Sequence, residues 1–278
     1  GFADRPARQG EPSESRCCMR WWCAATDVAW TWTWKPYLGV WVLLVMSVAA
    51  YQWAVRRAGD DAPDIRARRW FYTALAFFWL ATDWPVGALA GGYLVSMHTA
   101  QYILLTFVVA PFVIVGVRPF IRPSPLQRIF ANPIFGFFAY SIILGLTHFP
   151  AISDALMATQ WGSFVVDMSW LAGGWALWWP VLAPEGIRRM NPLGQIGYLF
   201  VQTIGPTVPS AFLTFADFPS YKLYELAPRV HGFTASQDQQ LAGLSMKLVA
   251  DPFIWVAMGI IFFRWYREES KPDQPSAA

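Results

Sequence analysis

The chain has 278 residues, of which 55% are hydrophobic and only 14% are charged, with 17 tryptophans and 21 phenylalanines. This composition lies outside the range of soluble domains and indicates a polytopic, all-α membrane protein in contact with membrane lipid. The formal net charge of +3 is small, and no basic stripe interleaved with aromatic residues accompanies it, so nucleic acid is excluded as a partner.

The N-terminal region differs in composition from the rest of the chain. Residues 1–18 are polar and rich in proline and glycine, and we interpret residues 1–30 as a disordered or processed tail. This tail holds all the cysteines, which are Cys17, Cys18 and Cys23. Together with Met19 they would offer soft ligands for copper(I). Their spacing matches no defined metal motif, however, which favours incidental thiols.

Seven apolar stretches can be drawn if each is allowed the roughly 20 residues of a membrane-spanning helix. They cover residues 37–55, 69–84, 91–116, 131–148, 161–182, 194–216 and 240–264. We therefore predict a bundle of seven transmembrane helices over residues 31–268, followed by a cytoplasmic tail at residues 269–278.

The connections between these stretches sort by charge. Arginines gather at residues 56–69, 117–130 and 183–193 and at the C-terminal end, whereas residues 85–90 and 149–160 carry no arginine or lysine. Because arginine-bearing connections stay in the cytoplasm, this alternation predicts that the N-terminus is outside and the C-terminus is cytoplasmic.

That orientation places the polar side chains of the spans toward the extracytoplasmic half. These residues are Asp83, Met97, His98, Gln101, His148, Asp167, His231, Asp238 and Gln239. A histidine inside a span indicates a function by default, because it is costly to expose to lipid. We predict that Met97, His98 and Asp167, at matching depths, approach one another as copper ligands or share a hydrogen-bond network. The alternative is that His98 is a neutral histidine bonded to a neighbouring helix.

Two local patterns predict helix contacts. Lys247 and Asp251 are four residues apart in the seventh stretch, so both can lie on one helix face and form a structural ion pair. A proton-relay role for this pair is the alternative. In the fifth stretch, the adjacent Gly173 and Gly174 would permit a second helix to approach closely.

Several of these segments resemble one family. The motifs are WTWKPYLGVW (32–41), SMHTAQYILLTFVVAPFVIVG (96–116), WALWWPVL (175–182) and DQQLAGLSM (238–246). In this order and spacing they resemble the CtaG family of cytochrome c oxidase assembly factors. The resemblance implies a seven-helix protein of the bacterial plasma (inner) membrane, a haem–copper oxidase as partner and copper as cargo. It also implies a role for His98 and for the DQQLAG segment.

The chain departs from this family at several positions. Tyr102 stands where a second histidine is expected four residues after His98, and Ser163 and Asp167 replace a histidine-rich half of the fifth helix. Lys247 and Asp251 replace the usual apolar continuation after DQQLAG. These departures count more against the expected copper binding than against the expected fold.

Two functional hypotheses follow. In the first, the chain is an oxidase assembly factor that aids copper insertion from the extracytoplasmic side. In the second, it is a non-catalytic subunit of a larger integral membrane complex that kept the scaffold and lost metal ligands. We expect no enzymatic activity, since the sequence carries no nucleophile elbow, zinc-protease motif, phosphate-binding loop or dinucleotide fingerprint.

Overall fold

The computed structural model describes residues 20–184, 186–187, 190–230 and 232–270. Over those residues the regular secondary structure is entirely helical, in agreement with the predicted all-α class. The helices are α1 (Leu38–Ala58), α2 (Ile65–Thr82), α3 (Val86–Gly92), α4 (Val95–Ile103), α5 (Ala110–Val117), α6 (Pro125–Phe130), α7 (Pro133–His148), α8 (Pro150–Met157), α9 (Gln160–Leu182), α10 (Pro192–Gln202), α11 (Ile204–Phe215), α12 (Lys222–Glu225), α13 (Ala235–Leu248) and α14 (Ala250–Glu269). A π-helical segment, Leu104–Val109, joins α4 to α5.

Helices occupy each of the seven predicted stretches. Fewer than seven helices among the described residues, however, are long and apolar enough to cross a membrane. Three continuous segments of the described chain meet that criterion, namely Leu38–Asp61, Val95–Phe120 and Ala235–Glu269. Two bent pairs raise the number to five: α2 with α3, bent by 44°, and α7 with α8, bent by 72°. Apolar helices therefore identify a membrane protein, while the count of seven spans and the orientation of the termini stay predictions.

The segment Val95–Phe120 lies at the centre of the helical bundle. Of the 18 most apolar consecutive residues in this segment, 67% are buried inside the protein. The corresponding share is 11% for Leu38–Asp61 and 22% for Ala235–Glu269. Its contact with α9 is close, because a Cβ atom added at Gly174 would lie 2.7 Å from the Ala110 Cβ and from the Thr106 carbonyl oxygen. The close approach that the glycine pair predicted is confirmed at Gly174.

The described part of the N-terminal region packs into this bundle. Trp22 and Cys23 are fully buried. The backbone N–H groups of Trp21 and Trp22 donate to the Gln160 side chain at 2.9 and 3.2 Å, and the Ala25 N–H donates to the Met157 carbonyl at 3.1 Å. Packed structure thus begins N-terminal to residue 31, within the predicted tail. Cys17, Cys18 and Met19 lie outside the described residues.

The predicted ion pair in the last helical segment is confirmed. The Lys247 Nζ lies 2.6 Å from the Asp251 carboxylate, and the two side chains are 38% and 2% exposed. The ammonium also donates to the Thr207 hydroxyl at 2.7 Å and to the Thr203 carbonyl at 3.2 Å. These contacts join α13 to α11 and compensate the burial of the aspartate.

Candidate functional site

Two of the three histidines meet in the interior. His98 lies in the first turn of α4, and His148 is the last residue of α7, immediately before the bend into α8. Their side chains are 2% and 5% exposed, and their ring centres are 6.3 Å apart. His231 lies outside the described residues. The sequence placed His98 and His148 on the same side of the membrane but did not predict this contact.

The position of His98 depends on an N-cap that comes from another helix. The start of α4 has no cap of its own, and the Asp238 carboxylate on α13 accepts from the Val95 N–H at 2.7 Å and from the Ser96 N–H at 3.4 Å. The Ser96 hydroxyl donates to the other carboxylate oxygen. A negative charge at a helix N-terminus satisfies free N–H groups and complements the helix dipole. Asp238 therefore fixes the turn that carries His98.

The hydrogen bonds of the pair leave ring nitrogens free. The Nδ1 of His148 lies 3.0 Å from the Leu144 carbonyl, and since a carbonyl only accepts, this nitrogen carries the proton. In the neutral ring, the Nε2 of His148 is then the unprotonated acceptor. This nitrogen and both ring nitrogens of His98 are buried without a hydrogen-bond partner among the described residues. Buried polar atoms are rarely left unpaired, so these three atoms require an explanation.

Aromatic side chains surround the two imidazoles. The Trp170 and Tyr224 ring centres lie 4.7 and 5.7 Å from that of His98, and the Tyr102 ring centre lies 5.0 Å from that of His148. Their polar atoms bond elsewhere: Trp170 donates to the Thr147 hydroxyl, Tyr102 pairs with the Tyr140 hydroxyl, and Tyr224 donates to the Ala90 carbonyl. The environment that they offer to the imidazoles is consequently apolar.

Asp167 belongs to a neighbouring network. Its Oδ2 accepts from the Trp22 indole at 2.8 Å and from the Gln101 amide at 3.0 Å, and its Oδ1 is buried without a partner. Cys23 lies beside this network, with its Sγ 3.8 Å from the Ser163 hydroxyl. Burial raises the pKa of the Cys23 thiol well above its usual range. This cysteine is therefore a neutral thiol, which weakens its own interpretation as a thiolate ligand.

Met97 lies apart from both groups. It is half-buried and packs against the small apolar cluster of Leu89, Tyr93 and Leu94, whereas the adjacent His98 faces Trp170. Successive residues of a helix point about 100° apart, which explains this separation. Met97, His98 and Asp167 thus each have different neighbours. The role of this set as a copper site stays a prediction.

Comparison with known proteins identifies the family. The family model described as cytochrome c oxidase caa3 assembly factor (Caa3_CtaG) matches residues 48–268, well over half of the chain. The chain belongs to this CtaG family. No curated protein and no solved structure shows a significant match. The family match includes both histidines and their aromatic neighbours, and it begins after the N-terminal segment that bonds to Asp167.

Other polar residues predicted from the sequence have structural roles in this CtaG-family chain. Asp83 accepts from the Tyr37 N–H at 3.0 Å and from the Trp79 indole at 2.9 Å, joining α2 to the start of α1. The Gln239 side-chain oxygen accepts from the Ser220 N–H at 2.6 Å. Asp238 and Gln239, the first residues of the DQQLAG segment, therefore position other segments through their hydrogen bonds.

The aromatic residues around the histidine pair were missed by sequence reasoning. Trp170 carries no signal among the chain's many tryptophans, and Tyr224 lies in a connection between predicted spans. Tyr102 was noticed only because the CtaG resemblance leads one to expect a histidine there. Among the described residues no three His, Cys, Asp or Glu side chains converge in a way that could hold a metal ion. Any metal at this site would have few protein ligands.

Proposed function

We propose that the chain assists the maturation of a haem–copper oxidase by handling copper at the extracytoplasmic half of the bacterial plasma membrane. In this proposal copper is cargo, the partner is the oxidase, and the chain catalyses no reaction. The proposal includes seven membrane spans, an external N-terminus and a cytoplasmic C-terminus, for which the alternation of arginine-bearing connections is the support.

One observation carries the copper part of this function. The histidine pair offers imidazole nitrogens that are buried and unpaired within the described chain. Imidazole is a good ligand for copper, and a bound ion would account for nitrogens that otherwise lack partners. Together with membership of a family of oxidase assembly factors, this favours copper as cargo.

The alternative is a non-catalytic subunit of a larger integral complex. It is favoured by the structural roles of Asp83, Asp238 and Gln239, and by the absence of a cluster of three His, Cys, Asp or Glu among the described residues. Such a subunit would copurify with the complex in fixed ratio, whereas an assembly factor is absent from the finished oxidase.

Deletion of the gene separates the two functions. For an assembly factor, oxidase purified from the deletion strain should contain haem and all subunits but less than one equivalent of copper per copper site. For a structural subunit, the complex should lose subunits or dissociate while its remaining metal content is normal. Fully metallated, intact oxidase from the deletion strain would refute both. Complementation with the wild-type chain controls for effects of the deletion on neighbouring genes.

A further inference from the structure

We infer that His98 and His148 together bind one copper(I) ion, through the Nε2 of His148 and one ring nitrogen of His98. The inference rests on the proposed function only for the choice of copper. It differs from the ligand set predicted from the sequence, because it replaces Met97 and Asp167 by a second histidine from α7.

The separation of the rings is close to that of two imidazoles bound to one ion. With a metal–nitrogen bond of about 2.0 Å and about 1.1 Å from the nitrogen to the ring centre, two imidazoles on one ion have ring centres up to roughly 6 Å apart. The observed separation of 6.3 Å is slightly longer than this limit, so the two rings would have to move slightly closer together to share an ion. The limit is reached only when the two nitrogens face each other across the ion, in a nearly linear arrangement. Because neither ring nitrogen of His98 is held by a hydrogen bond, rotation of its ring can bring one into line.

The hydrogen bond of His148 prepares it as a ligand. Metal-binding histidines generally donate their second ring N–H to a carbonyl or carboxylate, which fixes the tautomer and the ring orientation. The Nδ1 of His148 does so with the Leu144 carbonyl at 3.0 Å, and the same nitrogen lies 3.3 Å from the Thr147 hydroxyl. The lone pair of Nε2 is thereby available to an ion.

The surroundings select a monovalent ion. Zinc in proteins is bound in tetrahedral geometry with three or four protein ligands, and divalent charge is costly in an apolar interior. Nearby carboxylates are already engaged: Asp167 accepts hydrogen bonds from Trp22 and Gln101, and Asp238 accepts from the start of α4. Asp154, on α8, accepts from the backbone N–H groups of Lys222 and Leu223. Copper(I) carries one charge and accepts two nearly linear nitrogen ligands. The unpaired ring nitrogens of the pair are buried away from bulk solvent.

The short segment that includes Tyr221 and α12 packs against the two histidines. The Tyr221 hydroxyl donates to the His148 carbonyl at 2.9 Å, and Tyr224, on α12, donates to the Ala90 carbonyl at 2.6 Å while its ring lies against His98. Both histidines are almost completely buried, so uptake or release of the ion requires some of the segments around them to move.

The test compares methionine and leucine at each histidine position. Leucine and methionine have similar size and polarity, but only the thioether of methionine can bind copper(I). The purified full chain is titrated anaerobically with copper(I) against a chromophoric chelator, and unfolding is followed by tryptophan fluorescence. We expect one copper(I) per wild-type chain. His98→Leu and His148→Leu should weaken binding by more than the roughly 10- to 100-fold that loss of a supporting contact causes. His98→Met and His148→Met should retain most of the affinity.

Control variants distinguish this site from the set predicted by sequence. Met97→Leu and Asp167→Asn should leave copper(I) binding unchanged, and X-ray absorption of the copper-loaded chain should show the edge of two-coordinate copper(I). The inference is overturned if the wild-type chain binds no stoichiometric copper(I), if leucine and methionine variants bind equally, or if Met97→Leu or Asp167→Asn abolishes binding.

Oxidase maturation in cells is a separate readout. If His98→Leu removes copper(I) from the purified chain but oxidase maturation stays normal, the site stands and the proposed function fails. If deletion depletes the oxidase of copper but the histidine variants still bind copper(I) like the wild type, the function stands and the site fails.

Discussion

Replacing Asp238 tests how the helix that carries His98 is positioned, because the Asp238 carboxylate caps α4 although Asp238 itself lies in α13. Replacing it by alanine removes the acceptor for the first N–H groups of α4, an effect that costs about 0.5–2 kcal/mol at an N-cap. It also removes the charged partner of the Ser96 hydroxyl, a hydrogen bond that contributes about 1.5–3 kcal/mol. With the carboxylate 3% exposed, we expect Asp238→Ala to destabilise the chain by about 3 kcal/mol.

Asp64→Ala is the matched control. Asp64 is the N-cap of α2 and accepts from the Ala67 N–H at 2.8 Å, but it serves its own helix and bonds a single N–H group. Its loss should cost about 1 kcal/mol. Unfolding of the purified chain in mixed micelles, followed by tryptophan fluorescence, measures both variants. Asp238→Asn should fall between wild type and Asp238→Ala. Equal destabilisation by Asp238→Ala and Asp64→Ala would refute the cap between α13 and α4.

Three further predictions address packing, charge and topology. Gly174→Ala should destabilise the chain by about 1–3 kcal/mol because the added methyl group meets the facing helix, whereas Gly145→Ala, with no neighbour within 4 Å, should leave the midpoint of unfolding unchanged or raise it slightly. Lys247→Met should destabilise the chain more than the double variant Lys247→Met with Asp251→Leu, since the single change leaves a buried carboxylate unpaired. Additive changes in the free energy of unfolding across the double-mutant cycle would contradict a coupling between the two residues. With the native cysteines replaced by serine, Asp61→Cys should react with a membrane-impermeant maleimide only after cells are permeabilised, and labelling of intact cells would reverse the proposed orientation.

Local patterns predicted local structure well. The Lys247–Asp251 pair depends on spacing within one helical segment, and the contact at Gly174 is close because a residue without a side chain lets a facing helix approach the backbone. Hydropathy placed the helices, since burial in lipid or in the bundle requires long apolar stretches. It did not predict the bend after His148, which follows from Pro150 at the start of α8.

The sequence alone could not predict which residues surround His98. A topology gives each residue a depth in the membrane, but the face it presents depends on how every helix is rotated. The predicted topology puts His98 and His148 on one side of the membrane, yet their contact depends on how the helices that carry them are rotated and packed in the bundle. The same limit explains why Met97 and Asp167, at a suitable depth, lie in other surroundings. The polar N-terminal sequence gave no indication that Trp22 would bond to Asp167.

The docking of Trp22 has a consequence for biosynthesis. Its indole bonds to a carboxylate 145 residues later in the chain, and Trp21 and Trp22 both bond to Gln160. During translation, the N-terminal segment emerges long before α9, so its binding surface does not yet exist when the first helices enter the membrane. These residues can dock only after Gln160 and Asp167 have been synthesised, which requires more than half of the chain. Their burial is therefore a late step, and protection of residues 20–25 from protease would report completion of the bundle in nascent chains of increasing length.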